Sequence, residues 1–313
     1  VYLLKRLAVL VVTLVVVSFL VFLIPYASPG DPARKILRSR VSDLAVDPAS
    51  VAALRAKLGL GDPLIVQYGR WLGHAVIGDF GYSYTSHTPV SGQIGQGLAV
   101  SVTLSLSALL VALAIALPLG TLAATARGRP LDNVLTFVTQ GLVALPEYWV
   151  APLVVLVFAL KLGWLPSAGW DGPQSMVLPA MVLALRPLSY FTQVTRASMI
   201  DALAAPHMTA ARSRGLSAGR TLARHGMRNA SLPVLTLFSV WLAGLLGGSV
   251  VVEVIFNVPG MGRLLYEAVV NSDIPMIQGG MVCIVALTVV ITTLTDLAYT
   301  LVNPATRVSH AGA

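Results

Sequence analysis

Four ionisable side chains stand inside long apolar stretches of the sequence: Glu147, Arg186, Glu253 and Asp296. A charge at the centre of a hydrocarbon layer costs about 2.5–3.5 kcal/mol on insertion scales, so each invites a role as a path-lining group, an ion-pair partner or an ion-carrying site. Glu147 follows Pro146, where a kink can turn the carboxylate toward a wet path. Arg186 precedes Pro187 and suits either of two tasks, a buried pair with Glu147 or reception of a solute carboxylate. Glu253 comes near the outer end of its run beside the turn residues VPGMG, where charge costs less and a gate or docking contact fits. Asp296 comes near the inner end of the last run. The single cysteine, Cys283, lies in an apolar run and is read as packing, while His74, His87, His207, His225 and His310 fall outside such runs, which argues against a metal site. No clustered set of catalytic groups gathers near one face, which disfavours a polytopic membrane enzyme.

These charges are exceptions in a chain that is 56% hydrophobic and only 11% charged, far below the roughly 25% charge of an average soluble domain, so lipid must cover much of the outside. A helix needs about 20 mostly apolar residues to cross roughly 30 Å of hydrocarbon. About six runs meet that length, residues 7–26, 100–126, 134–160, 176–195, 232–256 and 276–302. The fold class is therefore all-α, a polytopic membrane protein with about six transmembrane helices. Pro118, Pro146, Pro152, Pro179 and Pro187 predict kinked spans, tolerated where neighbouring helices satisfy the freed carbonyls. Residues 7–23, behind Lys5 and Arg6, imitate a signal peptide, but the run is too long and no convincing cleavage site follows, so it is read as an uncleaved first span.

The net charge of +8 would suit nucleic acid in a soluble protein, yet no zinc-finger spacing, no aromatic and basic interleaving and no helix-turn-helix supports that partner. The basic residues instead report orientation. With the amino terminus inside, the inner face receives Lys5, Arg6, Arg127, Arg129, Arg196, Arg212, Arg214, Arg220, Arg224, Arg228 and Arg307, and the two short outer loops hold only Lys161 and Arg263, while the seven basic residues of the outer segment 28–97 stand beside five aspartates in a loop too long for the rule. Both termini are thus expected in the cytoplasm. In the outer segment, Asp47-Pro48 and Asp62-Pro63 each place an N-cap before a proline at the first helical position, predicting two short amphipathic helices on the outer membrane face. They serve as a cap over the span ends, a docking platform, or both. Arg263 and Glu267 form an i,i+4 pair on a further short outer helix, and Trp164, Trp170, Tyr190 and Tyr266 read as interface or packing aromatics. The expected division is a first span in residues 1–27, an extracytoplasmic insert in 28–99, a five-helix core in 100–302 containing a cytoplasmic loop at 196–231, and a tail in 303–313.

That inner loop reads RASMIDALAAPHMTAARSRGLSAGRTLARHGMRNAS. Pro206 interrupts the helix leaving the fourth span, residues 209–214 form a short new helix, and Gly215 permits the turn that ends it. Arg220, Arg224 and Arg228 line one side of the next helix, and on charge alone they fit a solvated face against anionic lipid. TAARSRG at 209–215, followed by Leu232-Pro233, resembles the EAA loop of ABC-importer membrane subunits, in particular its long-spaced version in dipeptide, oligopeptide and nickel importers. GDFGYS at 78–83 with Pro89-Val90, RNASLPV at 228–234 and EVIFNVPGMGRLLYEAVVNSDIPMIQG at 253–279 are similar to signatures of the same family. The resemblance covers essentially the whole chain and fits the B-type permease best. Two departures stand out: Thr209 replaces the acidic residue of the general pattern, and NPATR at 303–307 stands where the family often has Asp-Pro-Arg.

The resemblance implies a type I ABC-importer permease fold in the bacterial plasma (inner) membrane. It implies that Thr209, Ala210, Ala211, Arg212, Arg214, Gly215 and Leu216 form a coupling helix seated in a groove of an ATPase, with Arg212 and Arg214 placed to anchor on acidic residues there. No Gly-x-x-x-x-Gly-Lys-Ser/Thr cradle occurs, so no means of hydrolysing ATP is visible, and ATP with Mg is expected on separate chains, with no cofactor here. The implied partners are a second homologous permease subunit, two ABC ATPase units, an extracytoplasmic substrate-binding protein, the peptide substrate and membrane lipid. Di- or oligopeptide is the expected cargo, with nickel or another small solute as the alternative. An ion-coupled secondary transporter using Glu147 and Asp296 is a further rival, but no convincing inverted repeat accompanies it.

Overall fold

Uninterrupted apolar sequence has few ways to satisfy its backbone inside lipid, and the helix is the one this chain uses. In the computed structural model, residues 2–27, 34, 47–57, 59–206, 208, 213 and 227–302 are described, with side chains left aside at 2–6, 54, 57, 227–232 and 296–302. The helices are α1 (Tyr2–Phe22), α2 (Ile24–Ala27), α3 (Pro48–Lys57), α4 (Leu64–Val76), α5 (Val90–Thr125), α6 (Pro130–Ala144), α7 (Glu147–Val154), α8 (Pro173–Ala204), α9 (Met227–Gly248), α10 (Val250–Ile255), α11 (Met261–Val270) and α12 (Ile274–Val302). A π-helical stretch, Val155–Lys161, continues α7. Among the described residues the sole β pairing is an isolated bridge between Tyr82 and Pro89.

Four stretches are long and apolar enough to cross a membrane: Leu7–Tyr26, Val90–Thr125, Pro173–Ala204 and Ile274–Thr295. The third expected span is broken. α6 and the helix Glu147–Lys161 meet at 99°, so they make a fifth crossing only if the bent pair counts as one. The expected run at 232–256 is split at Ser249 into α9 and α10, and the described apolar part, Pro233–Gly248, is shorter than a span. The count among the described residues is therefore four or five, against the six or so that hydropathy predicts. Pro118, Pro179 and Pro187 stay inside helices, whereas Pro146 occupies the junction ahead of α7 in extended geometry (φ −68°, ψ 134°).

The chain forms two compact units. One joins residues 1–100 to residues 259–293. In it α4 lies against α1 through an aromatic group of Phe19, Phe22, Tyr68 and Trp71, and the hydroxyls of Ser18 and Tyr68 share a hydrogen bond of 2.8 Å. Tyr26 donates to the Gln67 side chain, whose amide in turn donates to the Asp62 carbonyl at 2.8 Å. Asp47 caps α3 as its sequence predicts, accepting from the Ala49 N–H at 3.3 Å. Asp62 does not cap α4: Pro63 takes the cap position, and the carboxylate is held by Arg70 at 2.6 Å, a charge partner that outbids a weak backbone donor. A core of Val90, Ile94, Met261, Ala268, Met276 and Ile277 binds the start of α5 to α11 and α12.

The second unit, residues 101–258 and 294–313, holds the broken span and α8. Gly120 of α5 meets α8 so closely that a Cβ there would lie 2.7 Å from the Thr192 carbonyl and the Thr195 side chain, which only glycine permits. Farther along the same pair of helices, Ala124 packs on the fully buried Met199, flanked by Ile200 and Leu203. α9 completes the layer through ring contacts of Trp241 with Tyr190 and of Phe238 with Phe191.

Candidate functional site

Pro146 has no N–H to offer a continuing helix, so the chain leaves α6 at Ala144 and restarts at Glu147 on a new axis. The restart places Glu147 in the first turn of α7, where a carboxylate also benefits from the helix dipole. Its Oε1 lies 3.8 Å from Nε of Arg186 on α8. The two residues that sequence reasoning offered as a pair are thus together, but loosely, and the Arg186 side chain is 44% exposed against 18% for Glu147. A guanidinium left half-open beside a helix break is able to exchange its carboxylate partner for another.

A second ion pair, between α6 and α8, is tight and was not singled out by the sequence. Asp132, in the first turn of α6 and only 3% exposed in its side chain, accepts two hydrogen bonds from Arg196 of α8, from Nε at 2.6 Å and from a terminal nitrogen at 2.7 Å. Its Oδ2 also accepts the Gly128 N–H at 3.0 Å, in a turn that Gly128 makes with φ of +75°. Nearly two turns farther along α6, and one turn back along α8, Gln193 donates to the Thr139 hydroxyl at 3.1 Å. The readable signal was an acid just after a proline at the start of a span, on a face otherwise counted as basic.

Glu253 is fully buried, and its Oε1 accepts the hydroxyls of Ser101 at 2.6 Å and Ser249 at 2.7 Å. The structure therefore places it as a binder of α10 to α5 rather than at an open surface. Asp296 is in the helical backbone of α12, and its side chain lies outside the described residues, as do Thr209, Ala210, Ala211, Arg212, Arg214, Gly215 and Leu216 entirely. Among the described residues no group of His, Cys, Asp and Glu is arranged to hold a metal ion.

In the other unit the GDFGYS loop closes on Asp273. That carboxylate, 2% exposed, accepts the Ser83 hydroxyl and the N–H groups of Tyr84 at 3.1 Å, Thr85 at 3.3 Å and Met276 at 3.4 Å. Two of the motifs picked out in the sequence thus meet at one side chain.

Residues 116–308 match the family described as the binding-protein-dependent transport system inner membrane component, and residues 1–107 match that of its N-terminal part. The chain belongs to this family. It is the membrane permease of an ABC importer, a multi-pass protein of the inner membrane. A protein of Brucella abortus (strain 2308), provisionally named a peptide transport system permease protein, is 37% identical to this inner membrane component over 97% of the chain and 98% of its own length. The glutathione transport system permease protein GsiC of Salmonella typhi is also 37% identical, over 98% of each chain. Among solved structures, the MetNI methionine ABC transporter in inward facing conformations matches with a TM-score of 0.52 at 15% identity, covering 67% of this permease and 94% of that chain, a likeness of fold.

Proposed function

We propose that this permease moves di- or oligopeptides through the membrane, delivered by an extracytoplasmic binding protein, and that it does so as one half of a pore completed by a second, homologous permease. ATP and Mg reside on two ABC ATPase units, and this chain is a non-catalytic subunit without a cofactor of its own. The end-to-end similarity to relatives named for peptide and glutathione transport supports the cargo class, glutathione being itself a tripeptide. The observation that carries the translocation role is the 99° break in the third span with Glu147 and a half-exposed Arg186 at it, a polar joint where a continuous apolar helix would otherwise stand.

In this reading Glu147 and Arg186 face the path. Residues 209–216, with Arg212, Arg214 and Gly215, seat on the ATPase, and both termini are cytoplasmic. Glu253 serves at a gate near the outer end of its helix, and Asp296 on the path near the inner end of α12. The test is reconstitution of the full complex in vesicles with ATP inside or outside. Labelled di- and tripeptide uptake that requires both hydrolysable ATP and the binding protein is expected, and uptake driven by an ion gradient without ATP would overturn the reading. Uptake of nickel or another small solute, with peptides excluded, would overturn the cargo assignment alone.

A further inference from the structure

We infer that Asp132 and Arg196 are the positioning residues that transmit the ATPase stroke to the broken span. They make the turn at 126–129 and the whole of α6 travel with the inner end of α8, while the motion is released at the Leu145-Pro146 joint and the loose pair beyond it. The inference rests on the importer function proposed above.

Four contacts carry it, all within one compact unit. The close approach of Gly120 to Thr192 and Thr195, and the packing of Ala124 on Met199, fix the end of α5 to α8. The bidentate Asp132 and Arg196 pair, at 2.6 and 2.7 Å with the Gly128 N–H as a third donor, fixes the connecting turn and the start of α6 to the same stretch of α8. Gln193 to Thr139 then ties α6 nearly two turns farther along. A fork of two short charge-assisted bonds fixes angle as well as distance, which a single contact does not. α8 ends at Ala204, immediately before the loop expected on the ATPase, so a push there is delivered to α6 through Arg196.

Ten residues back along α8, about 15 Å at helical rise, Arg186 reaches Glu147 across 3.8 Å with its side chain half exposed. The inner pair is short, buried and multiply bonded, and the outer pair is long and open. Rigid attachment at one end and a yielding contact at the other turn a displacement of α8 into a change of angle at Pro146. Sequence separation hides the arrangement, because Asp132 and Arg196 are 64 positions apart and only the fold shows that one helix, α8, holds α6 through one ion pair and α7 through the other.

The experiment uses the complete complex in vesicles and reads ATP hydrolysis and peptide uptake on the same sample. In Asp132→Asn the shape is kept and the charge-assisted fork is lost. The expected result is continued ATP hydrolysis with uptake per ATP lowered at least about fivefold, the lower end of the coupling found between linked binding sites, and recovery in Asp132→Glu. A defect of folding alone would lower assembled complex and leave the ratio unchanged, which would overturn the inference. A second variant guards against misassembly: Asp132→Cys with Arg196→Cys in a Cys283→Ala background, with and without a short bis-maleimide. Restored uptake per ATP after crosslinking supports the rigid joint, and equal coupling in both samples overturns it. If the unmodified complex shows no ATP-dependent uptake, the proposed function fails and takes this inference with it. If the unmodified complex and Asp132→Asn couple alike, the transmission role alone fails.

Discussion

Among the described residues three buried carboxylates organise this permease, and each accepts from donors in distant parts of the chain. Asp273 holds one hydroxyl and three backbone N–H groups, so Asp273→Ala strands buried donors at about 1–3 kcal/mol apiece. A destabilisation of about 3 kcal/mol or more is expected, seen as a lowered midpoint of thermal unfolding in detergent, with Asp273→Asn milder because an amide oxygen still accepts. Glu253 receives both of its serine bonds on one oxygen. Glu253→Gln keeps an acceptor for both and is therefore expected to destabilise less than Glu253→Leu, which leaves two hydroxyls without that acceptor. Unfolding of both variants side by side checks the order. Glu147, Arg186 and Glu253 stood out in the sequence as charges within apolar runs, where lipid would make them expensive. Their partners were legible only where two charges were both conspicuous, as for Glu147 with Arg186. Ser101 for Glu253 and Ser83 for Asp273 are ordinary serines 152 and 190 positions away, and nothing local distinguishes them.

At the scale of elements, hydropathy located the spans because burying apolar surface in lipid is insensitive to detail, but it misjudged their continuity. Residues 134–160 read as one run, since the apolar content on either side of Leu145-Pro146 is similar and the tolerance of helices for proline varies. Pro118, Pro179 and Pro187 are carried inside helices while Pro146 ends one, and the difference is the extended backbone at Leu145 and Pro146. Pro146→Ala removes the bar to a continuous helix and is expected to straighten the joint and slow peptide uptake without unfolding the protein. Uptake per assembled complex, set beside an unchanged unfolding midpoint, is the measurement. Gly120→Ala belongs at this scale too, because its added methyl meets the Thr192 carbonyl of α8 at 2.7 Å and backbone cannot step aside as a side chain can. Separation of α5 from α8 there is expected to cost about 1–3 kcal/mol, read as a lowered unfolding midpoint. That near-contact was invisible in sequence, where Gly120 is one small residue in an apolar run.

For the molecule as a whole, the lipid-facing character was plain from composition, and the structure shows where it is concentrated. Phe137, Leu160, Trp149 and Trp164 are 80, 69, 64 and 68% exposed, a surface that only lipid or a companion subunit can cover. The orientation proposed from basic residues has a direct check, because Cys283 is the only cysteine. In a Cys283→Ala background, an impermeant thiol reagent applied from outside is expected to label Ser86→Cys and to spare Arg129→Cys. The reverse pattern would turn the topology over. The family could be read from ordered motifs spread along the chain, whereas the grouping of residues 1–100 with 259–293 could not, since it depends on pairings between the two ends of the sequence.

The π-helical stretch Val155–Lys161 carries a last consequence. Such a winding holds a surplus residue relative to an ordinary helix. Removing one amino acid usually ruins a lipid-buried helix by rotating everything downstream out of register. Here the excision of Val157 alone should relax the overwide coil into regular pitch and leave an assembled, soluble-in-detergent protein, with the loop at Trp164 kept on its present side.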